Sequence, residues 1–142
     1  PGILTSNSGW DTVKNKKFLK SIINNFHNEG IRTSIFIDPV KEFIFEAKET
    51  KTDRIELYTE SYANAFSNNK EKAIQPFIQS AELATKLNLE INAGHDLNLQ
   101  NLNFFASKIK NLQEVSIGHA LICDALYFGL ENTIQMYKRN LI

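Results

Sequence analysis

Two short segments of the chain end an apolar run with Gly-His, which combines an accessible backbone N–H with an imidazole. Residues 91–95 read INAGH, and residues 116–119 read SIGH. A helix-like pattern follows each segment, so each Gly-His falls where a strand would end. The carboxyl ends of parallel strands carry the chemistry of many α/β folds. The two segments therefore predict one site built by adjacent strands.

The residue types in these two turns suit proton transfer and anion binding. Imidazoles such as those of His95 and His119 can donate or accept protons. Gly94 and Gly118 allow a backbone N–H to approach a ligand closely. The helices that follow would present free N-termini, so either turn could bind phosphate. The alternative for each histidine is a hydrogen-bonded structural role.

Glu56 is an acid inside a predicted strand, residues 54–58 (RIELY). Side-chain alternation along a strand puts it on the face opposite its two apolar neighbours. Both faces of a parallel sheet are normally covered, so Glu56 should point into a barrel or a cleft, where it needs a partner or a function. A buried ion pair with Arg or Lys is the alternative. Asp38 and Thr59 lie at further strand ends.

Composition argues against several classes of function. The 142 residues carry 16 basic and 16 acidic side chains, which gives no electrostatic case for binding nucleic acid or an anionic membrane. No apolar run approaches the roughly 20 residues of a membrane helix. The single Cys123 excludes an internal disulfide and favours a reducing cytoplasm. The chain has no HExxH, GxGxxG, P-loop, GxSxG or Cys cluster, so we expect no metal and no cofactor.

Hydrophobic periodicity predicts a helix followed by four strand–helix units. The predicted helices cover residues 11–29, 40–48, 71–87, 97–107, 120–126 and 130–138, and the predicted strands cover residues 32–37, 54–58, 89–93 and 115–117. The polar residues 59–69 predict a loop. Pro76 predicts a kink within the following helix, residues 71–87. Strands that alternate with helices imply a parallel sheet.

Two architectures fit this alternation, a doubly wound sheet and part of a (β/α)₈ barrel. A full barrel typically takes about 250 residues. This chain has 142 residues and opens on a loop and a helix with no strand before them. That length is enough for one hydrophobic core, so we expect a single domain over residues 1–142.

The sequence resembles the pyridoxine 5′-phosphate synthase family, TIM-barrel enzymes of vitamin B6 synthesis. The resemblance is carried by residues 34–38 (SIFID), 55–59 (IELYT), 91–95 (INAGH) and 116–121 (SIGHAL), followed by Gly129-Leu130. Their order and spacing match from about Leu4 to the C-terminus. The resemblance implies an α/β fold in which this chain supplies the C-terminal half of a (β/α)₈ TIM barrel, strands five to eight with their flanking helices.

The resemblance also implies a reaction and a role for individual residues. The family joins 3-amino-2-oxopropyl phosphate to 1-deoxy-D-xylulose 5-phosphate and releases pyridoxine 5′-phosphate, inorganic phosphate and water. His95 matches the proton donor, and Glu56 matches the acid that stabilises the transition state. The positions that match substrate-binding residues are Thr5, Gly94, Gly118 and His119. Small phosphorylated substrates are the expected partners of a cytoplasmic homo-oligomer that associates through its barrel helices.

The sequence departs from the family's pattern at several positions. Asn7-Ser8 stand where the family usually has Glu-Gly, Asp96 replaces a common Gly, and Tyr58 replaces a common His. Cys123-Asp124 replace a usual small residue and Arg. The family's other catalytic residues, an Arg, a Glu and a His, lie on the first strands, which have no counterpart in these 142 residues.

On its own, this chain is expected to be catalytically inactive and to self-associate. An unclosed barrel leaves two strand edges unpaired and its interior uncovered. The residues expected to lack packing partners are Ile35, Ile37, Ile91 and Ile117. Two other functions remain open at this point: another phosphate-binding TIM-barrel lyase or isomerase, and a non-catalytic half-barrel.

Overall fold

The computed structural model describes residues 6–141, which form six helices and four strands. The helices are α1 (Lys16–Asn28), α2 (Lys41–Glu49), α3 (Glu60–Lys86), α4 (Leu102–Lys108), α5 (His119–Phe128) and α6 (Leu130–Arg139). The strands are β1 (Ser34–Ile37), β2 (Arg54–Tyr58), β3 (Glu90–Gly94) and β4 (Leu112–Ser116). The predicted order is confirmed, and β2 has the predicted bounds. None of the helices within residues 6–141 is long and apolar enough to cross a lipid bilayer.

The four strands are parallel and pair in chain order, β1-β2-β3-β4. A doubly wound sheet requires a point at which the strand order reverses, and the described sheet has no such point. Parallel strands in chain order, each followed by a helix, are the arrangement within a (β/α) barrel, so the sheet is compatible with half of one. Every strand therefore ends along the same rim of the sheet.

Aliphatic side chains occupy the face of the sheet that packs against the helices. Six strand residues on this face are each no more than 4% exposed: Ile35, Ile37, Ile55, Leu57, Ile91 and Ala93. The expectation that Ile35, Ile37 and Ile91 lack packing partners is wrong, because the alternation turns them toward the helices and away from the open interior. Ile117 is partly buried against the same core.

The opposite face of the sheet carries polar residues, and Arg54 joins three strands across it. Its guanidinium donates to Glu90, to Asn92 Oδ1 at 3.0 Å and to Glu114 Oε2 at 2.7 Å. The side chain of Arg54 is 8% exposed, and these contacts satisfy a charge that would otherwise be costly to bury. The same contacts raise the pKa of Arg54, chiefly through the hydrogen bond to Glu90. The sequence carried no signal for this cluster.

The prediction of a loop over residues 59–69 is wrong, because α3 begins at Glu60. Tyr62 and Phe66 lie one turn apart on its inner side, and their rings pack edge to face at 5.5 Å. The helix is interrupted at Asn69, whose backbone leaves helical geometry (φ −159°, ψ 90°). Asn69 Oδ1 accepts a bond from the Lys72 backbone N–H at 2.9 Å, which is the arrangement of a helix N-cap. The break thus lies at Asn69 and not at Pro76.

Two other helices begin about five residues later than predicted, because polar side chains take up the preceding backbone N–H groups. Before α1, Asp11 Oδ1 accepts a bond from the Lys14 N–H at 3.0 Å. Before α4, Asn98 and Asn101 bond to each other's backbone N–H groups at 3.2 and 2.9 Å. Asp and Asn favour such local bonds over a continued helix.

A second polar cluster lies at the amino end of β1. Asp53 Oδ2 accepts bonds from the Thr33 backbone N–H at 2.7 Å and from His27 Nε2 at 2.9 Å. His27 is therefore a structural residue that links α1 to the loop before β2. Burial opposes ionisation of Asp53, but the hydrogen bonds from Thr33 and His27 outweigh it and lower the pKa of the carboxyl.

This cluster predicts a pH-dependent stability for the variant Asp53→Asn. An acid whose pKa is lower in the folded state stabilises the fold above its unfolded pKa of about 3.9, and loses that contribution as the pH falls through its folded pKa. Asp53→Asn should therefore lower the free energy of unfolding at pH 7 and have a smaller effect at pH 3. Urea unfolding at both pH values measures the difference. Glu82→Gln is the control, since Glu82 is exposed and forms no ion pair within residues 6–141. An equal loss at the two pH values would contradict the prediction.

Candidate active site

A cleft of about 1640 Å³ opens at the carboxyl ends of the strands. Four of the residues that the sequence singled out line it, and these are Glu56, His95, Gly118 and His119. Gly94 is buried behind the cleft wall. Thr5 lies outside the described residues. The cleft thus brings together an acid and two imidazoles from β2, from the end of β3 and from the start of α5.

Glu56 projects from the polar face of β2 into this cleft. No Lys or Arg of residues 6–141 lies within 4 Å of its carboxylate, so the described part of the chain does not hold the ion pair considered as its alternative role. Its Oε1 occupies the space where a side chain at residue 94 would begin. The absence of a side chain at Gly94 therefore leaves room for the Glu56 carboxylate in this position.

His95 follows the last residue of β3 in an unusual backbone conformation. Its φ is +88°, and that of Asp96 is +58°, in the region that favours glycine. The His95 ring packs perpendicular to the ring of Tyr58, with centroids 4.8 Å apart. Tyr58 is itself held by a 2.6 Å bond from its hydroxyl to Glu60 Oε2. Burial and this bond raise the pKa of Tyr58, so the phenol stays protonated and donates.

Thr59 fixes the turn that carries His95. Its backbone N–H donates to Gly94 O at 2.9 Å, and its hydroxyl donates to Gly94 O at 2.7 Å and also to His95 O. Thr59 is fully buried. A turn with two consecutive positive φ values persists only when its surroundings hold it, and Thr59 supplies that restraint from the neighbouring strand. The sequence placed Thr59 at a strand end but carried no signal for this role.

Only one of the two Gly-His turns leads directly into a helix. Gly118 precedes α5 immediately, and the space beside its Cα is open for at least 4 Å. The turn after Gly94 is separated from α4 by residues 95–101, and Asn98 and Asn101 already bond to backbone N–H groups there. The expectation that both turns precede a free helix N-terminus is therefore wrong for Gly94.

The N-terminal part of the described chain closes one side of the cleft. Gly9 donates its backbone N–H to Asp38 Oδ2 at 3.1 Å, and Trp10 N–H donates to Phe36 O at 2.7 Å. A Cβ on Gly9 would collide with the backbone of Ile37, so only glycine permits this approach. The hydrogen bond that Asp38 accepts from Gly9 therefore anchors the segment whose residues 6–8 line the cleft.

The described residues contain no group of three or more His, Cys, Asp or Glu side chains arranged to hold a metal ion.

Gly94→Ala and Gly118→Ala are predicted to differ in stability. The new methyl group at residue 94 displaces the Glu56 carboxylate and presses on Ser116, whose Cβ and O lie 3.0 and 3.1 Å away. Overpacking of this kind costs about 1–3 kcal/mol. Gly118 has a negative φ and open space beside it, so its substitution should change stability by less than about 0.5 kcal/mol. Urea unfolding of both variants tests this. Equal losses would show that the Glu56 carboxylate does not fill the space at Gly94.

Comparisons with known proteins identify the family. The family model for "Pyridoxal phosphate biosynthesis protein PdxJ" matches residues 1–142. A pyridoxine 5′-phosphate synthase of Flavobacterium johnsoniae is 55% identical over 140 residues, which are 99% of this chain and 59% of the relative. Pyridoxine 5′-phosphate synthases of Cytophaga hutchinsonii and Christiangramia forsetii are 57% and 56% identical and cover 97% and 96% of this chain.

The chain spans 59%, 58% and 57% of the length of these three relatives. The family model, by contrast, extends over the whole chain, across every element that borders the cleft. This chain belongs to the PdxJ family of pyridoxal phosphate biosynthesis proteins.

Proposed function

We propose that this chain is part of a pyridoxine 5′-phosphate synthase that condenses 3-amino-2-oxopropyl phosphate with 1-deoxy-D-xylulose 5-phosphate. The observation that carries the proposal is the meeting of Glu56 and His95 in one cleft at the carboxyl ends of β2 and β3. The names of the relatives support the same reaction. The enzyme is a transferase-type, ring-closing synthase whose products are pyridoxine 5′-phosphate, phosphate and water.

His95 acts as the proton donor in this proposal, and Glu56 stabilises the transition state. Imine formation and dehydration each need protons to be delivered and removed, which an imidazole and a carboxylate in one cleft can do. Glu56 has no cationic partner within 4 Å in residues 6–141, so its charge remains available to a cationic intermediate. Neither role requires a cofactor or a metal.

Gly118 and His119 hold a phosphate group of the substrates. They begin α5, whose first backbone N–H groups have no helical acceptor and whose dipole favours an anion. The open space beside Gly118 allows an oxyanion to approach the backbone. Gly94 and Thr5 also bind substrate in this proposal, and the missing side chain at Gly94 makes room for the Glu56 carboxylate beside it.

The chain forms one domain that supplies strands five to eight of a (β/α)₈ barrel. The parallel order of the sheet and the 59% share of a relative's length support this assignment. Apolar side chains exposed at the two ends of the sheet also support it, because a complete barrel would cover them. They lie on α1 and on the α5–α6 hairpin and include Phe18, Phe26, Leu126, Tyr127 and Leu130.

We further propose a homo-oligomer that associates through barrel helices and works in the cytoplasm. The α2 helix supports the association, since its Phe45 is 52% exposed and is not among the side chains assigned to the missing half of the barrel. The free, exposed thiol of Cys123 supports a reducing compartment.

His95→Asn tests the proposed chemistry in the complete enzyme. Loss of a general acid or base typically costs about 10²–10⁴-fold in rate, and we expect kcat for pyridoxine 5′-phosphate formation to fall by that amount with an unchanged melting temperature. His27→Asn is the matched control, because His27 lies at the opposite end of the strands. It should lower the melting temperature and leave kcat unchanged. A loss below tenfold for His95→Asn would give His95 a structural role only.

Residues 1–142 expressed alone are predicted to be inactive and to self-associate. The apolar side chains of α1 and the α5–α6 hairpin are exposed, and β1 and β4 have unpaired edges over parts of their length. Sedimentation velocity and an assay for pyridoxine 5′-phosphate formation measure the two properties. A stable, active monomer would contradict the proposal that half of the barrel is missing.

A further inference from the structure

We propose that Asp96 is a positioning residue for His95: its carboxylate keeps the imidazole proton on Nδ1 and so leaves Nε2 free for the substrate. This inference rests on the proposed function, in which His95 transfers protons. It assigns a role to a residue that the resemblance left without one.

The environment of His95 Nδ1 carries the inference. This nitrogen is buried and has no aligned hydrogen-bond partner among the described residues. The carboxylate oxygen Oδ2 of Asp96 lies 3.1 Å from it. A buried polar nitrogen without a partner is costly, and a small rotation of either side chain would align the bond. Hydrogen bonds between catalytic groups are often misaligned before substrate binds.

The chemistry of a carboxylate decides which nitrogen carries the proton. An ionised carboxylate only accepts hydrogen bonds, so the nitrogen that faces it must be an N–H. In a neutral imidazole, the other nitrogen, Nε2, then holds the lone pair, so it takes up a proton before it donates one to the substrate. The Asp96 side chain is 44% exposed, so its carboxylate carries no large desolvation penalty.

None of the other described groups around His95 forms a hydrogen bond with Nδ1. Tyr58 meets the ring perpendicularly, and its hydroxyl is bonded to Glu60. Glu56 lines the same cleft. Thr59 contacts His95 only at its backbone oxygen and not at its ring. Asp96 is therefore the residue in a position to select the tautomer.

The backbone at residue 96 shows that an aspartate is not needed for the turn itself. With φ at +58°, glycine would adopt this conformation with less strain. Asp tolerates the left-handed region but gains nothing from it. What Asp96 adds over glycine is the carboxylate beside Nδ1, so Asp96→Gly separates the effect of the carboxylate from that of the turn.

The test combines NMR with kinetics in the complete enzyme. Two-bond ¹H–¹⁵N correlation spectra at alkaline pH, where imidazoles are neutral, should show His95 with its proton on Nδ1 in the wild type. In Asp96→Gly the spectra should show both tautomers, and kcat should fall by about 10- to 100-fold with little change in KM. Asp96→Asn, whose amide oxygen can still accept the Nδ1 proton, should lose less than about tenfold.

Asn88→Gly is the matched control, because Asn88 also has a positive φ of 53° but lies before β3, at the far end of the strands. Both glycine variants should keep or raise the melting temperature, and only Asp96→Gly should lose kcat. A wild-type spectrum with the proton on Nε2, or an Asp96→Gly enzyme with unchanged tautomer and kcat, would overturn the inference. The spectra report on Asp96 even if His95→Asn leaves the synthase reaction intact, so failure of the proposed function would be recognised separately.

Discussion

The alternation of side chains along four parallel strands determines both the core and the cleft. One face of each strand turns aliphatic residues toward the helices, where Ile37, Ile55 and Ile91 are completely buried. The other face carries the residues between them, which are mostly polar in β2 and β3 and include Phe36 in β1. Because β2 and β3 pair in register, Glu56 lies opposite Asn92 and Tyr58 lies opposite Gly94. A shift of one residue would bury the site and expose the core.

The geometry of the cleft results from contacts between neighbouring strand ends rather than from any single motif. Gly94 leaves room for the Glu56 carboxylate, and Thr59 holds the backbone oxygens of the strained turn. Tyr58, anchored by Glu60, supports the His95 ring from β2. Each of these contacts crosses from β2 to the end of β3. The strain at His95 and Asp96 is thus maintained by an adjacent, well-packed strand.

Patterns of neighbouring residues predicted the helices and strands whose formation depends mainly on those neighbours. The alternating residues 54–58 predicted β2 with its bounds, and the Gly-His segments predicted two strand ends at the cleft. Predictions were wrong where a helix is built from mostly polar residues, as in residues 60–69, or where Asn side chains delay the start of a helix, as before α4. Arg54 and the Tyr58–His95 contact were not predictable, because their partners are set by strand register and tertiary packing.

We propose that the rim of this sheet binds phosphorylated substrates beside Glu56 and His95, and crystals of the complete enzyme soaked with inorganic phosphate test this binding. We expect an ordered phosphate within hydrogen-bonding distance of the backbone N–H groups that begin α5, at Gly118 and His119. An ordered phosphate elsewhere, with this helix start empty, would contradict it.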